Sequence, residues 1–254
     1  MRRFVNRPVQ AAIWVSCICV AATGCSKRKP APPQPPAKVI KAAPATPIDH
    51  KKIELGGTTW DPQWDVIVEE ALPPAMLTRR VPRDVRHFCP RFYEMSKGDK
   101  RAFWAYFFQA LAGAEAGLDP TTNVQHGLIG VARHDQVTHT TVRSEGLLQL
   151  AYEDAKRYGC DFDWKSDRLL KPDDPRRTIL QPKNNLDCGV RILDDQIIVR
   201  HKPILWGGGY WSTLRPGTES YRVFAKQMTN PPLACGLYEK RSRKVRTPDA
   251  GQSK

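Results

Sequence analysis

The sequence has no long alternating apolar–polar stretch, no internal repeat, no glycine-rich phosphate loop and no Ser–His–Asp pattern. A strand-rich domain, a repeat array, a P-loop enzyme and a triad hydrolase are therefore disfavoured. Acidic residues are scarce, with 26 Asp and Glu against 40 Lys and Arg. Such a balance favours polyanionic partners. His126, His134 and His139 share one polar stretch, but their spacing of eight and five fits no compact ligand motif, so no metal is expected.

An apolar run near the start, 11–23, follows Arg2, Arg3 and Arg7 and is too short for a stable membrane span. It closes with Ala22-Thr23-Gly24-Cys25, which resembles a bacterial lipobox with alanine where leucine is usual. The resemblance implies a signal peptide over 1–24 and lipidation of Cys25; an ordinary cleaved signal peptide is the alternative. Ser26, in place of aspartate, resembles the pattern of lipoproteins sorted to the outer membrane, facing the periplasm. Residues 26–47, SKRKPAPPQPPAKVIKAAPATP, include seven prolines and almost nothing to bury. A disordered, extended tether is expected there, with a reach of about 60–70 Å. We assign 25–50 to this anchored linker, 51–238 to one folded domain and 239–254 to a basic disordered tail.

Of the 40 basic residues, three arginines belong to the leader, so 37 basic and 26 acidic residues remain, a net +11. Export weighs against nucleic acid and leaves anionic lipid or acidic wall polymer. The domain has four cysteines, Cys89, Cys160, Cys188 and Cys235, and an even count in an exported chain suggests disulfides. Cys160–Cys188 would close a short loop between two expected helices, leaving Cys89–Cys235 to tie the ends together. Two free pairs are the alternative.

The apolar periodicities are helical. Trp64, Ile67 and Ala71 share a face before the stop at Pro73-Pro74. Ser96 and Asp99 read as a capping box. Phe103, Phe107, Ala110 and Ala114 repeat at helical intervals, as do Trp104, Phe108, Leu111 and Glu115, making a broad apolar face. Gly117 and Asp119-Pro120 end that helix. Residues 120–143 read as a long polar loop, and 163–178 as a polar connection. Helices are expected near 151–158, from a cap at Asn184 or Asn185 to about Arg200, and over 218–228. The fold class is mainly α.

Glu115 continues an apolar stripe in a last helical turn. Desolvation and the negative end of the helix dipole both raise the pKa of a carboxyl there, which suits a general acid near neutral pH. The segment Glu115-Ala116-Gly117-Leu118-Asp119-Pro120 resembles the E-S-x-F-x-P segment of lytic murein transglycosylases. Gly146-Leu147-Leu148-Gln149 resembles their G-L-M-Q motif, and Asn185-Leu186-Asp187-Cys188-Gly189 their N-I-x-x-G motif. The three stand in the family's order, over a core of about 99–224.

That resemblance implies a lysozyme-like helical domain whose cleft takes peptidoglycan strands and needs no cofactor. Glu115 would serve as both acid and base, yielding 1,6-anhydro ends. The backbone at Gly146 and Leu148 and the Gln149 amide would line the cleft, and Asn185 would shape its floor or cap its helix. Tyr210 or Trp211 would stack on a sugar. Ala116 departs from the family's serine, the gap from Glu115 to Gly146 is long, and the final A-Y-N-A-G segment is not evident. Glu145 is a weaker candidate acid, in a position its neighbours Arg143 and Ser144 mark as solvated. A non-catalytic wall-binding scaffold and a muramidase using Asp119 or Glu145 as second carboxylate are the alternatives. Membrane contact would come through the lipid anchor, and envelope-assembly proteins are further candidate partners.

Overall fold

The computed structural model describes residues 54–55, 58–125 and 133–236. Cys25 and the leader, the proline-rich tether, His126 and the basic tail lie outside them.

The described part is mainly α, with six helices and two short antiparallel strand pairs. Strand β1 (Glu54–Leu55) pairs with β2 (Thr58–Thr59). Helix α1 (Pro62–Ala71) starts on Asp61, whose side chain accepts from the Gln63 amide. Val68 is its fully buried residue, while Trp64, Ile67 and Ala71 pack half-buried against the core. The buried face is thus turned slightly from the one the spacing suggested.

Helix α2 (Lys97–Ala116) is the centre of the domain. Ser96 caps it, accepting from the Asp99 amide while its own hydroxyl meets the Asp99 carboxylate. From Ala102 to Gly113 every residue is buried, as expected of a helix that is apolar all round. Phe103, Trp104 and Phe107 meet Phe88, Phe92 and Phe224 mostly edge to face, the arrangement that ring quadrupoles favour.

Beyond α2, strand β3 (Asn123–Gln125) pairs with β4 (Arg143–Glu145), Asn123 standing opposite Glu145. Within the long loop, Asp135 is buried and accepts from the amides of Val137, Thr138 and Glu153, so its described part is well tied. Helix α3 (Glu153–Tyr158) ends at Gly159, and α4 (Trp164–Asp167) is a single turn inside the segment expected to be irregular. Helix α5 (Pro182–Asp194) continues into a wider π turn over Asp195–Val199. Neither Asn184 nor Asn185 caps α5. The helix opens two or three residues earlier, on Pro182, whose missing N–H needs no partner at a first helical position. Helix α6 (Glu219–Gln227) is capped by Thr218. α1 packs on α2 and α5, and α6 on α2. Disulfides join Cys160 to Cys188 and Cys89 to Cys235.

Candidate functional site

Glu115 stands in the last turn of α2, and Gly117 ends the helix in the left-handed conformation (φ 58°). That places the carboxyl at the negative end of a long helix and on the wall of a cleft of about 490 Å³. Burial raises its pKa, opposed by a hydrogen bond with the Thr213 side chain. Its Oε1 is buried without a hydrogen-bond partner. A carboxyl so placed favours its protonated form and has an oxygen left over.

The tight turn from Glu145 to Leu150 packs against this helix end. Gly146 takes φ 75°, and its N–H donates to the Thr122 carbonyl at 2.8 Å. A Cβ at Gly146 would lie 2.4 Å from Asn185 Nδ2, so glycine is required twice over, by conformation and by space. Asn185 is wholly buried and is the staple of the turn. It accepts from the Leu148 N–H at 2.9 Å and donates to the carbonyls of Glu145 and Ile179. Leu148 packs so closely on Gly189 that a Cβ there would meet its Cδ1 at 2.1 Å. Gly146, Leu148 and Asn185, expected to line the cleft or its floor, therefore sit behind it and hold its wall. Of this group only Gln149 reaches the cleft, on a strained backbone (φ 52°) with its amide donating to the Gly146 carbonyl.

Glu145 is not solvated, contrary to what its neighbours in sequence suggested. It is 1% exposed and bound to Arg177 and Asn123 through Oε2. Burial pushes its carboxyl up and the Arg177 guanidinium pulls it back; paired, both groups have partners. Arg177 also donates to the Tyr152 hydroxyl, which donates to Asp167, and Asp167 accepts from Thr178. The network is buried and away from the cleft. Sequence reasoning took 163–178 for a polar connection because its buried charges come from residues distant in sequence.

Tyr210 and Trp211 both line the cleft. Trp211 is almost wholly buried, its indole N–H donating to the Leu148 carbonyl at 2.9 Å, so it joins the wall to the turn more than it offers a ring face. Tyr210 stands edge-on to Trp211 and to Tyr158. Its hydroxyl donates to Asp154, a fully buried carboxyl that also accepts from the Ala151 amide. Burial pushes Asp154 up to about 6. The sequence reading missed Asp154, as well as Glu153 and Asp195 on the cleft wall. Glu153 is paired with Arg133, and Asp195 with Arg200 at 2.8 Å. Asp119 accepts from Thr121 in its own turn and does not line the cleft. Among the described residues no three His, Cys, Asp or Glu gather as metal ligands.

The arrangement provides one unpaired, desolvated carboxyl on the wall of an aromatic-sided cleft, which is what proton transfer to a bound neutral polymer requires. No family model and no curated protein matches the chain. Among solved structures it is similar to wild-type Bd0314 DslA, at 26% identity over 68% of this chain and 91% of that one, with a TM-score of 0.54. One glutamate-to-glutamine mutant of DslA matches with the same figures, and another at 25% identity and a TM-score of 0.50. The likeness is a partial match of fold.

Proposed function

We propose that this protein is a lytic transglycosylase of peptidoglycan, built on a lysozyme-like helical domain and held in the cell envelope by a lipid on Cys25. Glu115 protonates the glycosidic oxygen between N-acetylmuramic acid and N-acetylglucosamine as the C–O bond breaks. The resulting carboxylate then takes the proton of the muramic 6-hydroxyl as that oxygen bonds to the anomeric carbon. The product is a 1,6-anhydro end, no water is consumed and Glu115 ends protonated as it began.

The observation that carries this reading is the solitary state of Glu115. Retaining and inverting hydrolases set two carboxyl groups across the bond. Here Glu153 and Asp195 face arginines, and Glu145 and Asp119 are engaged away from the cleft. A single acid/base needs only the one group. Mass spectrometry of soluble fragments from purified peptidoglycan tests the proposal. Fragments lighter by one water than their reducing-end counterparts are expected; reducing ends would make the enzyme a hydrolase, and wall binding without fragments a scaffold.

A further inference from the structure

A second cavity of about 400 Å³ lies beside the cleft. Arg157, Tyr158 and Asp195 line both, so the two hollows share a rim. The second has a different character from the first. One side is small and apolar, built from Ala71 and Pro73 at the end of α1 and from Val199, which is 63% exposed at the end of the π turn.

Its charged groups are of both signs. The Arg157 guanidinium is exposed and stacks over the Tyr158 ring at 5.1 Å, a pre-organised fork for a carboxylate. Asp194 supplies an oxygen, Oδ1, that is buried without a partner. A bare sugar needs neither charge, and a purely anionic ligand would be opposed by Asp194 and Asp195. The fitting chemistry is a short zwitterionic peptide with methyl-sized side chains.

We infer that this second cavity binds the peptide stem carried by the glycan strand, with Arg157 on a stem carboxylate, Asp194 towards its amino group and Ala71, Pro73 and Val199 against its methyl groups. The inference rests on the proposal that the neighbouring cleft holds peptidoglycan. It makes the protein a reader of peptide-bearing strands rather than of glycan alone.

The test compares peptide-bearing strands with strands stripped of peptide by an amidase. The wild type should have a kcat/KM at least about fivefold higher on the former, and Val199→Trp, which fills the cavity, and Asp194→Asn should each reduce that ratio towards one. Equal use of both substrates by the wild type, or an unchanged ratio in both variants, overturns the inference while leaving the cleavage reading intact. If the wild type cleaves neither, the cleavage reading fails on its own, and NMR titration of the soluble stem peptide into the Glu115→Gln protein decides the cavity. Shifts centred on the Val199 and Asp194 amides support the site, and no shifts reject it.

Discussion

Glu115 and Glu145 are both withdrawn from water, and burial pushes both carboxyls up. Their surroundings then separate them. Glu145 meets a guanidinium and an amide on one oxygen and becomes the keystone of a buried network. Glu115 meets no cation, keeps one oxygen unpartnered and faces a cleft. A buried ion pair is costly to break and chemically quiet. A buried lone acid is unsatisfied until a substrate arrives, and that is the state from which a proton is transferred.

The comparison can be sharpened by removing each member's partners. Glu115→Gln should lower fragment release by about 10³-fold, within the range of a lost general acid, with thermal stability kept. Arg177→Ala leaves Glu145 charged and alone, and should destabilise the fold by about 3–5 kcal/mol in urea titration. Activity per folded molecule should change far less than for Glu115→Gln. Asn185→Ala removes the partners of the Leu148 amide and of two carbonyls. A loss of about 2–3 kcal/mol is expected, of the order set by an unsatisfied buried group.

A further prediction concerns Asp154, whose folded pKa of about 6 lies above the ordinary 3.8. The folded state therefore binds that proton more tightly than the unfolded chain. The stabilisation is fully present below about pH 4 and is lost as pH rises through about 6. Asp154→Asn should remove roughly 2 kcal/mol of this decline between pH 4 and 7, read from denaturation curves at each pH. The smallest effect is expected of Thr213→Val. Its loss raises the Glu115 pKa further, so the alkaline limb of the activity profile should move to higher pH with less than about a tenfold change in rate at neutrality.

The sequence made the helices legible where local chemistry decides them. Ser96 with Asp99, Gly117, Gly159 and the spacing along α2 all act within a few residues of where they stand. Glu115 was legible for the same reason, since its stripe and its helix end are local. The identity of the wall was not. Asn185 looked like a helix cap and proved to be a staple for a turn far away in sequence, because its partners lie on other segments. Glu145 looked solvated because Arg143 and Ser144 flank it, yet Arg177 arrives from beyond α4 to neutralise it. Buried ion pairs are long-range facts, and periodicity carries no trace of them. Trp211 was read as a stacking platform, but its indole N–H ties it to Leu148.

The most direct measurement sets the two glutamates side by side. Equal amounts of folded Glu115→Gln and Glu145→Gln protein, verified by circular dichroism below the melting temperature of each, would be incubated with purified peptidoglycan and the soluble fragments weighed by mass spectrometry. The account predicts anhydro-ended fragments from Glu145→Gln and none from Glu115→Gln. Fragments from Glu115→Gln, or a folded but inert Glu145→Gln, would contradict it.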